Sequence, residues 1–287
     1  MNISIASGKG GTGKTTVAVN LALSVQPSVY IDCDVEEPNG HILLKPKITS
    51  TKFITKKLPS IDLNKCNFCG KCSEVCEFNA IIALRSDVIV FEEMCHGCGV
   101  CSYFCPTKAI EEVEKNMGEI RKGFAKTELT KFIEGELNIG EMSAAPLIKQ
   151  VRKEELENAV NFIDAPPGTS CSMVAAVKDT DYCILVTEST PFGLNDLKLA
   201  VNVIHSLDVL FGVIINKYDK NFPAVEEYCL AQNITVLLTL PFDRKIAESY
   251  SRGVPPVCAF PELKEKFRNV FDRIHSSFLL KEVILNR

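Results

Sequence analysis

The sequence predicts an α/β protein: a doubly wound, mostly parallel sheet interrupted by a small inserted α+β domain. Three observations predict it. Near the start, a glycine-rich turn carrying a lysine joins a short apolar run to a helical one. Through most of the chain, apolar runs of strand length alternate with helical runs, the pattern that builds a parallel sheet. Between residues 60 and 110 that alternation stops, and eight cysteines take its place in two copies of one spacing. Sheet-forming chain lies on both sides, so the expected division is 1–59 and 111–287 for the large domain and 60–110 for an insertion.

The bulk numbers bound the function. At 287 residues and 46% hydrophobic, the chain can bury one large core and add a small domain. A net charge of −4 offers no concentrated basic surface for nucleic acid. No stretch has the layout of a secretory signal, and no apolar run is long enough to span a bilayer. Thirteen cysteines, an odd number with eight of them clustered, fit metal binding in a reducing cytoplasm better than a disulfide framework.

Met1–Ser7 reads as a buried strand and Val17–Leu23 as a helix. Between them stand Gly8, Lys9, Gly10, Gly11, Thr12, Gly13, Lys14, Thr15 and Thr16. Gly8, Gly13, Lys14 and Thr15 fit the G-x-x-x-x-G-K-[ST] phosphate loop in its required strand–turn–helix context. Its glycines let backbone N–H groups close around phosphate oxygens at a helix N-terminus, which already favours an anion. Lys14 is placed to reach the β- and γ-phosphates, and the Thr15 hydroxyl to ligate Mg²⁺. The additional Lys9 gives G-K-G-G-T-G-K-T-T, which resembles the deviant Walker A motif of the MinD superfamily. That superfamily includes the nitrogenase iron protein, the ParA-type ATPases and the Mrp-type iron–sulfur carriers. The resemblance implies a homodimer closing across nucleotide, with Lys9 contacting the partner's nucleotide.

Ser28–Asp32 reads as the second strand, ending in Asp32-Cys33-Asp34-Val35-Glu36-Glu37. Acidic residues at such a strand end are placed to meet Mg²⁺ or water. The stretch resembles the family's switch I, which implies that Asp34 orients the attacking water. Asp32 reads either as part of that site or as a turn former. Thr49–Asp62, with Lys52, Lys56 and Lys57, reads as extended connecting chain.

Cys66, Cys69, Cys72 and Cys76 follow C-x2-C-x2-C-x3-C, and Cys95, Cys98, Cys101 and Cys105 repeat it 29 residues on. Three cysteines at this spacing wrap three corners of a cubane, and the fourth ligand must come from elsewhere. The repeat is that of a bacterial two-cluster ferredoxin, in which the fourth cysteine of each run ligates the other cluster. The resemblance implies two 4Fe–4S clusters, one on Cys66, Cys69, Cys72 and Cys105, the other on Cys95, Cys98, Cys101 and Cys76. Paired C-x2-C motifs also make zinc sites, but three such cysteines in a row, twice, fit tetrahedral zinc poorly. The first run ends Cys76-Glu77, where the second has Cys105-Pro106, which leaves the first turn in question. Ala80–Leu84 and Asp87–Phe91 suggest a small hairpin between the runs.

A helical run over Pro146–Asn158 leads into a strand ending at Asp164, then Ala165-Pro166-Pro167-Gly168-Thr169-Ser170. This resembles the D-x-P-P-G-T switch II of the Mrp-like branch. It implies that Asp164 holds Mg²⁺ through water and that the Gly168 amide follows the γ-phosphate. Tyr182–Thr187 and Val209–Ile215 read as strands, with a helix capped by Thr190 between them. Asn216-Lys217-Tyr218-Asp219 fits a guanine motif taken alone, but in the resembled family an asparagine here contacts adenine. Val236–Leu240 is the last strand, and Pro241 and Asp243 follow it towards the base. Leu263, Phe267, Val270, Phe271, Ile274 and Phe278 recur at helical spacing in a closing helix whose mixed charges favour core packing over a lipid surface. Cys33, Cys171, Cys183, Cys229 and Cys258 read as small buried hydrophobes, Cys171 standing close to switch II.

The resulting expectation is a cytoplasmic Mg-ATPase that couples nucleotide state to electron transfer with a partner protein. The alternatives are an ATP-dependent carrier or scaffold for a partner's metallocofactor, and a positioning ATPase with redox-sensing clusters.

Overall fold

The computed structural model describes residues 1–285 of the chain. In chain order its elements are β1 (Asn2–Ala6), α1 (Lys14–Ser24), β2 (Ser28–Asp32), α2 (Gly40–Leu44), β3 (Lys47–Ile61), α3 (Lys71–Glu74), β4 (Ile81–Ala83) and β5 (Val88–Val90). Then come α4 (Val100–Tyr103), β6 (Ile110–Phe124), β7 (Thr130–Leu137), α5 (Ala145–Arg152), β8 (Asn161–Asp164), α6 (Cys171–Val177) and β9 (Tyr182–Glu188). The chain closes with α7 (Pro191–Ser206), β10 (Phe211–Tyr218), α8 (Ala224–Ala231), β11 (Val236–Pro241), α9 (Arg244–Ser251), α10 (Pro256–Ala259) and α11 (Pro261–Leu285).

One nine-stranded sheet has the order β11-β10-β9-β1-β8-β2-β7-β6-β3. From β11 to β7 every pairing is parallel. β6 and β3 add an antiparallel edge. Side chains alternate across the strands as the pleat demands. Val29 and Ile31 face one core with α5, α6, α7 and α8, while Tyr30 faces the other with α1, α10 and α11. Leu263, Phe267, Val270 and Ile274 bury the apolar stripe of α11 in that second core, as its mixed polar face predicts. Among the described residues no helix is long and apolar enough to cross a membrane.

Three sequence expectations change. Thr49–Asp62 is not connecting chain. All of it but Asp62 belongs to β3, which pairs with β6 from Lys47↔Phe124 to Ile61↔Ile110. Cross-strand attraction between lysines and glutamates, such as Lys57 with Glu112 at 3.3 Å, supports a ribbon with little buried apolar surface. The helix expected to Asn158 stops at Arg152, whose guanidinium donates to the carbonyls of Ala176 and Lys178. Beyond it the Asn161 side chain bonds both the N–H and the C=O of Leu156 and fixes a turn. Cys171 and Cys258 are exposed, whereas Cys33, Cys183 and Cys229 are buried as expected.

Candidate functional site

The parallel strands end on one edge, and the candidate nucleotide site is assembled there. β1 delivers the glycine-rich loop, and Gly13 caps α1 with φ +95°, a left-handed conformation that glycine adopts without strain. Lys14 opens α1 and is buried. Asn216 at the end of β10 donates from its side-chain amide to the Thr12 carbonyl at 2.8 Å, so it braces the loop. A side chain at Gly13 would strike that amide. The Gly168 N–H donates to the Ser7 carbonyl at 3.0 Å, which ties the second switch to the start of the loop. Pro241, exposed, ends β11, and Asp243, also exposed, caps α9 by accepting from the Lys245 N–H.

Asp34 and Asp164 both feel the Lys14 charge, and Asp32 lies beside Asp164. Asp34 is half-buried, and burial pushes its carboxyl up to about 7. Lys14 opposes the shift, while Asp164, Glu36 and Glu37 reinforce it. Asp164, at the end of β8, is fully buried. Burial raises its carboxyl, against the Lys14 charge and the Thr15 and Tyr30 hydroxyls. Its Oδ2 accepts from the Tyr30 hydroxyl at 3.0 Å, and its Oδ1 has no hydrogen-bond partner among the described residues. That orphaned buried oxygen beside Thr15 fits a hydrated Mg²⁺. Asp32 behaves as the turn former. Its Oδ1 accepts from the Asp34 N–H and its Oδ2 from the Gly40 N–H and Tyr30 hydroxyl, at 3.0 to 3.1 Å. Burial and the neighbouring Asp164 charge push its carboxyl well up.

Lys9 does not point into solvent. Its Nζ lies 2.6 Å from Glu188, which also pairs with Lys217 at 3.1 Å. Burial works to raise the Glu188 carboxyl, but the two lysines outweigh it and hold it below the usual carboxylate range. Lys217 donates in addition to the Gly11 carbonyl.

The eight clustered cysteines sit at the far end of the β3–β6 ribbon, around the β4–β5 hairpin. They ring two separate cavities. One is lined by Cys66, Cys69 and Cys72 with Cys105, the other by Cys95, Cys98 and Cys101 with Cys76. This is the crossed grouping that the ferredoxin resemblance implies. The repeat is exact in its backbone bonds to sulfur. Phe68 and Gly97 N–H donate to Cys66 and Cys95 at 3.4 Å, and Ala80 and Ala109 N–H donate to Cys76 and Cys105 at 3.3 Å. Glu77 in place of proline therefore leaves the first turn unchanged. Gly70 and Gly99 open α3 and α4 with φ of +77° and +73°. Among the described residues no three His, Cys, Asp or Glu side chains converge on a single-ion site. Four cysteines around each cavity are the donor set that a 4Fe–4S cubane requires.

Over residues 3–257 the sequence matches the CbiA family, the CobQ/CobB/MinD/ParA nucleotide-binding domain. The chain belongs to this family. Among curated relatives, an uncharacterized protein of Methanocaldococcus jannaschii is 29% identical over 270 residues, covering 88% of this chain and 90% of that one. An iron-sulfur cluster carrier protein of Pyrococcus horikoshii is 24% identical, covering 95% of this chain and 87% of its own length. Among solved structures, the septum site-determining protein MinD of Pyrococcus horikoshii, complexed with Mg-ADP, superimposes with a TM-score of 0.57 at 19% identity and covers 95% of both chains. That likeness shows the fold, a MinD-like P-loop NTPase.

Three site residues escape the sequence reading. Glu188 carries the same signal as Asp32 and Asp164, an acid at the end of a parallel strand on the ligand edge. Tyr30 carries none, since a tyrosine inside an apolar strand reads as core. Lys217 reads only as part of the guanine motif, yet it braces the loop.

Proposed function

We propose that this chain is a Mg-ATPase, working as a homodimer across nucleotide, that couples its nucleotide state to one-electron transfer between two 4Fe–4S clusters and a partner protein. One observation carries the reading. A nucleotide-binding edge and two four-cysteine rings are joined by one continuous sheet. Lys14 and the loop amides hold the β- and γ-phosphates, and Thr15 with Asp164 are the residues to hold Mg²⁺, which supplies charge neutralisation on the phosphates. Asp34 orients the water that attacks the terminal phosphorus as the bond to the leaving ADP oxygen breaks. Asn216 and the chain at Pro241 and Asp243 face the adenine side. Lys9 crosses to the partner's nucleotide only after leaving Glu188, and Lys217 then keeps that carboxylate compensated.

The relatives named iron-sulfur cluster carrier proteins favour a second reading, an ATP-dependent carrier or scaffold for a partner's metallocofactor. Weighing against simple donation, every C-x2-C spacing in this chain lies within the two ferredoxin-like runs.

The deciding experiment is an anaerobic redox titration followed by EPR, with and without a nonhydrolysable Mg-ATP analogue. A shift of about 59 mV, tenfold for one electron, supports coupled electron transfer, because linkage is reciprocal. No shift, together with delivery of iron and sulfide to an apo-acceptor, replaces it with the carrier reading. Lys14→Ala must abolish ATP turnover under either.

A further inference from the structure

The two cysteine rings are related by the sequence repeat, but their surroundings are not. The Cys95 ring lies against the body of the molecule, lined by Lys57, Pro59 and Glu112 of the ribbon. The Cys66 ring lies farther out, against Ile61 and Ile110 at the ribbon's end. Behind the inner ring is a buried ion pair. Lys56, only 7% exposed, places its Nζ 2.6 Å from Glu141, which is 6% exposed. The same Nζ donates to the Cys95 carbonyl at 3.1 Å and the Glu92 carbonyl at 2.7 Å. The outer ring has Lys71 in its lining, 2.9 Å from the exposed Glu74, but no buried ion pair among the described residues. Among the described residues no side chain donates to the corresponding carbonyls of Leu63 and Cys66.

A buried lysine on a β-ribbon is costly, and this one gives all three of its N–H bonds to Glu141 and the inner cysteine loop. Glu141 arrives from the loop after β7, outside the cysteine unit. Structural pinning of the loop needs only a neutral donor. A full positive charge hydrogen-bonded to the carbonyl of a ring cysteine also stabilises whatever negative charge the ring gains on reduction.

We propose that Lys56 and Glu141 are a positioning and potential-setting pair for the Cys76, Cys95, Cys98 and Cys101 cluster, making it the higher-potential of the two. This rests on the reading that both rings carry 4Fe–4S clusters. Lys56 draws the inner cluster's reduction equilibrium towards the reduced form, and Glu141 limits the effect while holding the ammonium in place.

The test uses the full chain, reconstituted anaerobically, as parent, Lys56→Gln and Glu141→Gln. Iron content and two EPR signals verify loading, and Cys69→Ser and Cys98→Ser assign the outer and inner waves. Removing the positive charge is expected to lower the inner potential, and removing the negative charge to raise it. Each shift is expected to be about tenfold in the equilibrium, which is about 59 mV for one electron. The outer wave moves much less. Shifts of the same sign in both variants, equal shifts in both waves, or no shift would overturn the assignment, since mere loosening of the loop does not reverse sign with the charge removed. A parent chain that holds no clusters overturns the underlying reading instead, and is recognised by its iron content before any potential is measured.

Discussion

Replacing Asp34 by asparagine tests the nucleotide edge through a property that differs between hydrolysis and mere binding. The carboxyl ionises near 3.8 in an unfolded chain and is pushed up to about 7 in the fold, chiefly by burial. Between those values the folded chain keeps a proton that the unfolded chain has released. Stability therefore falls as pH rises from about 4 to about 7, and the loss is complete above that window. In full the difference corresponds to about 4 kcal/mol. Part of the side chain meets solvent, and screening reduces it to about 2 kcal/mol. A carboxamide at this position cannot ionise, so Asp34→Asn should match the parent near pH 4 and exceed its stability by about 2 kcal/mol near pH 8. Urea unfolding of both proteins without nucleotide, at several pH values, reads this directly. Every other titrating group is common to the two chains and cancels in the difference. The same variant should bind Mg-ATP and lose at least about a hundredfold in turnover, the scale of a misplaced water-orienting base. A stability difference that does not change with pH would refute the burial argument. Turnover within about threefold of the parent would refute the catalytic assignment.

Tyr30→Phe removes the single hydroxyl that serves both Asp32 and Asp164, so it should destabilise the nucleotide-free protein by about 1–3 kcal/mol in the same unfolding assay. A loss under about 0.5 kcal/mol would show that neither carboxylate depends on it. Glu188→Gln frees Lys9, and sedimentation should then show ATP-dependent dimers at lower protein concentration, while Lys9→Ala should show none. Unchanged dimerisation in both would end the assignment of Lys9 to the partner's nucleotide. Cys105→Ser should remove the cluster of the Cys66 run and leave that of its own run, about half the iron, with the surviving EPR signal unchanged. Loss of the signal assigned to Cys95, Cys98 and Cys101 instead would mean that the ligation is not crossed.

What the sequence made legible follows from how locally each feature is encoded. The phosphate loop needs a fixed order of glycine, lysine and threonine between a strand and a helix, and the cysteine runs need fixed spacings. Both are written within a dozen residues. The ribbon is not. β3 reads KITSTKFITKKLPSI, and its exposed face and tip carry lysine and threonine where a half-buried strand would alternate apolar and polar residues. Its partner lies some fifty residues away, and only their pairing shows that β3 lysines meet β6 glutamates. Lys9 with Glu188, and Lys56 with Glu141, fail to show for the same reason. Each is a contact between residues far apart in sequence, and a lone charge gives no hint of its partner. Tyr30 was hidden differently: its ring belongs to the core with Phe132, 5.9 Å away, and only its hydroxyl belongs to the site.

Under the proposed function, the place of the cysteine-bearing segment in the chain bears on how nucleotide state reaches the rings. From β2 the chain runs through the Asp34 loop, α2 and the β3–β6 edge of the sheet, and the next strand, β7, is hydrogen-bonded in parallel to β2. Contact there is tight. The Leu137 N–H donates to the Val35 carbonyl at 2.8 Å, and a side chain added at Gly135 would meet Val35 at 2.7 Å. Residues next to Asp34 therefore have little room to move without moving the end of β7. Four residues beyond Leu137 is Glu141, paired with Lys56 behind the inner ring. Within the ribbon, residues 110–117 of β6 pair with β3 alone, past the end of β7. At about 3.3 Å per residue this carries the cysteine unit roughly 25 Å beyond the sheet. A flexible tether of that length would let the unit swing and would dissipate any displacement at its root. A hydrogen-bonded ribbon braced near its middle by a buried ion pair does not, so a shift of less than an ångström at Val35 has a mechanical route to the Cys95 loop. The Cys66 ring lies past the brace, against Ile61 and Ile110 at the ribbon's end, and the same shift reaches it along the ribbon beyond that point.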